Sequence, residues 1–336
     1  MVEFPKLVRG QIEYRFDPLT NAQVRINPAR ARRVKQAEAR ENKLNRPIEA
    51  SRQTCPFCPE RVEKETPCFP REICDEGRIR VGESLIFPNL NPFGEYHAVG
   101  ILSNRHFLKP DEFSTQMIRD NLLAVKRYVL SVYAQNKKAR YPVYMWNYMP
   151  PSAGSIIHPH VQILVECEPT PHLSKLIEES SRYYAKSGQN YWRNLIEEER
   201  KLGERFVAGD DLLSVTTSFA PRGFNEVCFI FNDTGSLAQL DERRMERFSM
   251  YLSRALRAYK ELGVGSFNLA TLSGPVDHKE NQFYWMSMKL ISRPYPRGIY
   301  TNDSGPMERM QDVWVIDTLP EELARRMKLI FQAESS

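Results

Sequence analysis

The chain has 336 residues, 41% of them hydrophobic and 26% charged, with a formal net charge of +5. This is the composition of a globular protein large enough for two domain-sized units and a sizeable core, not of a disordered or fibrous chain. No apolar run approaches the roughly 20 residues of a membrane span, and Met1-Val-Glu-Phe-Pro-Lys lacks the apolar core of a signal peptide, so the cytoplasm is the expected location.

The charge is lopsided. Residues 1–53 hold 12 of the 47 Lys/Arg against 6 of the 42 Asp/Glu, leaving the remainder almost neutral at 35 against 36. A basic arm of this kind points to phosphate chemistry or nucleic acid, or is simply a solvated face. Within it, Asp17-Pro-Leu-Thr-Asn21 is turn chemistry between two strand-like runs and predicts a hairpin. After Pro28, Arg30 and Arg33 are spaced to share one face of a helical turn and form a phosphate clamp. Residues 35–53 read as a polar surface segment or helix.

Six cysteines in a chain this long, unevenly spread, do not make a disulfide scaffold. Cys55-Pro-Phe-Cys58 stands apart, because C-x-x-C is either half of a metal site or a redox pair. Residues 85–102 read as strand, loop, strand, ending near His106. An amphipathic helix follows from Pro110 to about Lys138, with Ile118, Leu122, Val125, Val129 and Val132 at helical spacing. A strand then carries Asn147, and a small-residue loop through Gly154 and Ser155 leads to His158-Pro-His160-Val-Gln162 and the apolar run after it.

Two helical pieces, 173–186 and 191–202, precede a return of the same order. Residues 214–230 repeat the strand–loop–strand, Asp241 to Leu262 the helix, Ser266-Phe-Asn268 the Asn147 strand, and Tyr284 to Ile291 the strand of the histidine pair. The chain therefore reads as an internal duplication of class α+β, with halves at 1–168 and 169–336, each an antiparallel sheet with one long helix. Met286 and Met288 stand where the first half has His158 and His160, so the chemistry belongs to the first half.

In an extended backbone His158 and His160 project to the same side. Cys55, Cys58, His106 and His158 supply two thiolates and two imidazoles, a set that fits a closed tetrahedral zinc site and leaves His160 free to attack an electrophile.

These stretches together resemble the galactose-1-phosphate uridylyltransferase family of the histidine-triad superfamily over nearly the whole chain. The resemblance is carried by Phe16-Asp-Pro-Leu-Thr20, Pro28-Ala-Arg-Ala-Arg-Arg33, Cys55-Pro-Phe-Cys58, Phe87-Pro-Asn89, His97 to His106, and Asn147 eleven residues before His158-Pro-His160-Val-Gln162. It implies a nucleotidyltransferase in which His160 attacks the α-phosphorus of a nucleoside diphosphate sugar and passes the nucleotide to a sugar 1-phosphate by ping-pong steps. Gln162 would bond the phosphoryl oxygens, Ser155 and loop amides the other phosphate, and Arg30 and Arg33 would offset charge. Asn89 would face the nucleoside, Asn147 would support the loop, and the protein would be a homodimer. Leu90 replaces an Asp often used for the ribose, a second metal carried by some members is not expected, and only Glu308 and Gln311 are candidates for hexose hydroxyls. These departures keep open a second reading in which phosphate is the acceptor, as in ADP-glucose or dinucleoside-polyphosphate phosphorylases. A non-catalytic nucleotide- or RNA-binding module is the third reading, but such a module has no need for His160 beside an organised metal set, and nucleic acid is not the expected partner.

Overall fold

The structure, a computed structural model, describes residues 2–32, 44–279, 281–297 and 301–333. Its strands in the first half of the chain are β1 (Lys6–Arg9), β2 (Ile12–Phe16), β3 (Gln23–Ile26), β4 (Ile79–Val81), β5 (Ser84–Pro88), β6 (Tyr96–Ile101), β7 (Tyr141–Tyr148) and β8 (His160–Glu166). The second half adds β9 (Phe206–Gly209), β10 (Leu213–Thr217), β11 (Phe224–Phe231), β12 (Phe267–Leu272), β13 (Ser287–Ser292) and β14 (Trp314–Ile316). The helices are α1 (Asn45–Arg52), α2 (Val62–Glu65), α3 (Thr115–Gln135), α4 (Pro171–Ser187), α5 (Tyr191–Leu202), α6 (Glu242–Glu261), α7 (Pro306–Gln311) and α8 (Pro320–Ala333).

Ten strands form one antiparallel sheet in the order β4-β5-β6-β8-β7-β12-β13-β11-β10-β9. The order is its own mirror in the duplication: each half contributes five strands, and the halves join where β7 pairs with β12, Asn147 opposite Asn268. The expected repeat is thus present as a single continuous sheet. The hairpin predicted at Asp17 is formed by β2 and β3, and β14 adds to β3 in parallel, so the N-terminal strands cross over to the C-terminal part of the chain.

One face of the sheet is closed by the two long helices. Along α3 the five predicted apolar positions are at most 1% exposed, and the side chain of Ser114 caps its first turn by accepting from Met117 N. Each such Leu, Ile or Val contributes about 1.5–3 kcal/mol by leaving water, and the cap about 1 kcal/mol. In α6, Phe248, Leu252, Leu256 and Tyr259 do the same, and Asp241 caps by accepting from Arg244 N.

The other face is covered differently in the two halves. Over the second half, α4 and α5 lay Leu173, Leu176, Trp192 and Ile196 on Cys228 and Ile230. Over the first half, among the described residues, the Cys55–Val62 turn packs down with Ile156 against Leu85, Phe87, Val99 and Ile101. The side chains of Gln162 and Asn89 are left half-buried beside it. This asymmetry, set by where two amphipathic helices fall in the sequence, gives the corresponding faces of the two halves different covers.

Candidate active site and metal cluster

Cys55 and Cys58 lie on the turn between α1 and α2, where the Cys58 carbonyl accepts from the backbone N–H groups of Arg61 and Val62. His106 follows β6 and His158 precedes β8. The four side chains are buried, and their ligand atoms all lie within 4.8 Å of one another. Cys58 Sγ is 3.4 Å from His106 Nδ1, and both thiol sulfurs are 3.8 Å from His158 Nδ1. A tetrahedral ion with sulfur at ~2.3 Å and nitrogen at ~2.0 Å spaces its ligands ~3.5 Å apart, so these donors fit one.

The outer nitrogens complete the case. His158 Nε2 donates to the Ser103 carbonyl at 2.8 Å. His106 Nε2 lies 3.2 Å from the Ile48 carbonyl and 2.9 Å from Ser51 Oγ, whose own proton goes to that same carbonyl. Both rings are thereby held with protonated Nε2 and a bare Nδ1 aimed inward, the arrangement a metal-binding histidine requires. Burial and the neighbouring Cys55 push the Cys58 thiol up to about 12, so the protein alone favours a neutral thiol there and a cation is what would draw out the thiolate. The buried Cys2His2 cluster can bind a metal ion.

His160 is the first residue of β8, paired with Ile101. Its Nδ1 donates to the carbonyl of His158 at 2.8 Å, which leaves Nε2 as the nitrogen with the lone pair. Burial lowers its pKa and keeps the ring neutral, and the edge of Phe57 packs at 5.3 Å between ring centroids. Two residues along the same face, Gln162 Oε1 is 3.0 Å from His97 Nε2. His97 Nδ1 accepts from Phe93 N, so Nε2 carries the proton and Gln162 is turned with its amide nitrogen outward. Asn89 Nδ2 also lies 3.0 Å from this nitrogen, but with Asn89 Oδ1 accepting from Asn91 N it meets the ring as a second donor and makes no hydrogen bond to it in this tautomer. His97 therefore sits between two of the predicted site residues, a role that its place in a short apolar strand did not reveal.

Asn147 is held by a residue of the other half: Asn268 Nδ2 donates to its Oδ1 at 2.6 Å. Ser155 is exposed just beyond Gly154. Arg30 is exposed on a 3-10 turn, Pro28–Arg32, and is not brought against His160 by any ion pair or side-chain hydrogen bond among the described residues; Arg33 lies outside those residues. Glu308 spends both carboxylate oxygens on backbone N–H groups, of Gly305 and Val315, and Gln311 is exposed.

One equivalence needs correction. Met286 and Met288 are fully buried in the core with Leu290, on the helix face of β13, whereas in β8 it is Val161, Ile163 and Val165 that face the helices. The face of β13 turned away from those two helices presents Ser287 and Lys289. Lys289 pairs with Cys228 as Gln162 pairs with Val99, so a lysine, not a methionine, occupies that face. A one-residue slip in matching two strands exchanges their faces.

No family model matches the chain. It is 27% identical over 332 residues to an uncharacterised protein of Archaeoglobus fulgidus, covering 97% of this chain and 94% of that one. It superposes on ADP-glucose phosphorylase from Arabidopsis thaliana with bound ADP-glucose at a TM-score of 0.73 and 19% identity, over 94% of this chain and 98% of that one. A uridylyltransferase structure gives a TM-score of 0.71 at 19% identity, over 96% of this chain and 99% of that one. The likeness runs nearly the full length of each pair, and the chain has the fold of ADP-glucose phosphorylase and uridylyltransferase.

Proposed function

We propose that the protein is a nucleotidyltransferase that moves a nucleoside monophosphate from a nucleoside diphosphate sugar to a sugar 1-phosphate through a covalent nucleotidyl-His160. The observation that carries this is the fixed tautomer of His160: with Nδ1 committed to the His158 carbonyl, Nε2 is a neutral, buried nucleophile. Its lone pair attacks the α-phosphorus, the Nε2–P bond forms as the P–O bond to the sugar phosphate breaks, and the sugar 1-phosphate leaves. The acceptor's phosphate oxygen then takes the nucleotide from the histidine, which restores the free ring. The Nδ1 proton, shared with a carbonyl, stabilises the positive charge that the ring gains.

In this reading the outward amide of Gln162 donates to the phosphoryl oxygens, and Ser155 with its loop amides and Asn147 hold the neighbouring phosphate. Arg30 and Arg33 offset the charge of the diphosphate, and Asn89 faces the nucleoside. Cys55, Cys58, His106 and His158 hold a zinc ion that organises the strand entry carrying the nucleophile. Residues 1–168 form the chemical half and 169–336 the supporting half of a cytoplasmic homodimer. No helix among the described residues is long and apolar enough to cross a membrane.

The engagement of Glu308 with backbone favours a second reading, phosphate as the acceptor, because it removes a candidate for recognising a hexose. Incubation with α-phosphate-labelled UDP-glucose and ADP-glucose tests the shared first step. The expected result is an acid-labile, base-stable protein label that is absent in His160→Ala and is discharged by a sugar 1-phosphate or by phosphate. Absence of label with every nucleotide sugar would reject both readings.

A further inference from the structure

Where the two halves meet, a chain of hydrogen bonds runs from the second half into the loop that precedes the histidine pair. Arg293, just beyond β13, makes two bonds to Asp303 at 2.7 and 2.8 Å and donates from Nη1 to Asn268 Oδ1 at 2.8 Å. Asn268 Nδ2 donates onward to Asn147 Oδ1 at 2.6 Å and to the Ser152 carbonyl at 2.9 Å. The polarity of this chain is forced. Arginine can only donate, so Asn268 must turn its oxygen to Arg293 and its nitrogen to Asn147. Asn147 must then meet it with oxygen, which leaves the Asn147 amide nitrogen as the group presented to the site.

The loop that Asn268 grips is costly in itself. Met149 has φ 71° and ψ 158°, a region populated almost only by glycine, and Ala153 has φ 70° in the left-handed region. The Met149 carbonyl accepts from Ser152 N, Gly154 N and Ser152 Oγ, so the loop is wound about one oxygen. A Cβ on Gly154 would stand 2.6 Å from the Asn147 carbonyl oxygen and 3.1 Å from that of Met149. Such backbone persists only where its surroundings over-determine it, and the bond from Asn268 to Ser152 is one of the restraints.

We infer that Asn268 and Arg293 are positioning residues. Arg293, anchored by Asp303, sets the orientation of Asn268, and Asn268 holds the 149–155 loop in its strained form with Asn147 as a hydrogen-bond donor to a substrate phosphate oxygen. The second half, which lacks the histidine pair, takes part in the reaction through this contact. The inference rests on the proposed nucleotidyl transfer for the phosphate and on the geometry alone for the loop.

The test uses the full chain. Asn268→Asp replaces the donor by an acceptor facing two acceptors, while Arg293→Lys keeps a donor and Arg293→Met does not. For Asn268→Asp and Arg293→Met we expect the rate of His160 labelling to fall by roughly 10- to 100-fold, the value of a hydrogen bond to a charged group, with a smaller change in KM. Arg293→Lys should recover most of the rate. Adding Asn268→Asp to Asn147→Ala should cost less than Asn268→Asp costs alone, since one of its two bonds runs to Asn147 and only the one to the Ser152 carbonyl is left to lose. Hydrogen exchange of the 149–155 amides should quicken in Asn268→Asp and Arg293→Met but not in Arg293→Lys. Should Asn268→Asp fail to fold, Arg293→Met and Asn268→Leu carry the same comparison. Additive losses in the double variant, or wild-type labelling and exchange in Arg293→Met, would overturn the inference. If the wild-type protein takes no label, nucleotidyl transfer has failed, and loop exchange decides the geometric part by itself.

Discussion

The carbonyl oxygen of His158 accepts the Nδ1 proton of His160 at 2.8 Å, so a residue whose own ring belongs to the Cys2His2 cluster also orients the ring of His160. The backbone of His158 can serve this way only while its ring is anchored, by Ser103 on one side and by the cluster on the other. The cluster and the His160 ring are thereby coupled without sharing a side chain. We expect roughly one zinc per chain by elemental analysis, as for a closed Cys2His2 site, and parallel loss of zinc and of the His160 label when a chelator strips the protein. The double variant Cys55→Ser/Cys58→Ser should contain little zinc and precipitate on expression. Full zinc content in that variant would show that the ion is held elsewhere.

His97 gives the second prediction. It is buried, accepts from Phe93 N and gives its remaining proton to Gln162, so it fixes which end of the Gln162 amide faces outward. His97→Phe keeps a ring on that strand and removes the donor. Gln162 is then free to present its oxygen to an anionic substrate. The expected loss is about tenfold or more in kcat/KM, the value of one charge-assisted bond, with a melting temperature close to wild type. Retention of full kcat/KM would mean that Gln162 is oriented without His97.

Much of this was legible in the sequence because local periodicity and motif spacing report directly on local structure. The helical spacing of Ile118 to Val132, the turn at Asp17 and the spacing of Cys55 to Cys58 each depend on neighbours a few residues away. What was not legible depends on contacts between distant segments. His97 reads as one polar residue in a strand until Asn89 and Gln162 are placed beside it. Arg293 reads as a loop cation until β13 delivers it to Asn268. The face carried by Lys289 was misread because Met286-Ser-Met288 matches His-Pro-His by eye, and only pairing with β11 and β12 fixes which residues point to the helices.

The ends of the chain provide a pH prediction. Arg15 donates to both carboxylate oxygens of Glu321, at 2.9 and 3.1 Å, and Arg205 adds a bond at 2.9 Å. Burial alone would raise the Glu321 carboxyl, but Arg15 and then Arg205 hold it down at about 2. A carboxyl depressed in the folded state stabilises the fold above its unfolded value of ~4.3, and that contribution is lost as pH falls from there toward 2. Glu321→Gln should therefore lose about 2 kcal/mol at pH 7 and differ progressively less from wild type below pH ~4. Urea midpoints measured across pH 3–7 check this. A difference between the two proteins that is constant with pH would place the effect in packing and not in charge.

The last prediction concerns Lys289, which stands on the sheet face of the second half that α4 and α5 cover. Its ammonium bonds Glu226 Oε1 at 2.8 Å, and Glu226 Oε2 accepts from Arg222 N at 2.7 Å. The carboxylate is 1% exposed and the lysine 24%, so the pair is desolvated mainly on the acid side. Lys289→Met would strand a buried charge. The cost should be about 2–3 kcal/mol, below the usual range for breaking a buried pair because water reaches the lysine. Glu226→Gln in the same chain removes the charge and keeps an oxygen for Arg222 N, so the double variant should regain most of that loss. Neither change should alter His160 labelling, since β7 and β12 lie between β8 and β13 in the sheet. Denaturant unfolding of the two single variants and the double closes the cycle. Strictly additive losses would show that Lys289 and Glu226 contribute separately, and a lost His160 label would place the pair in the working site.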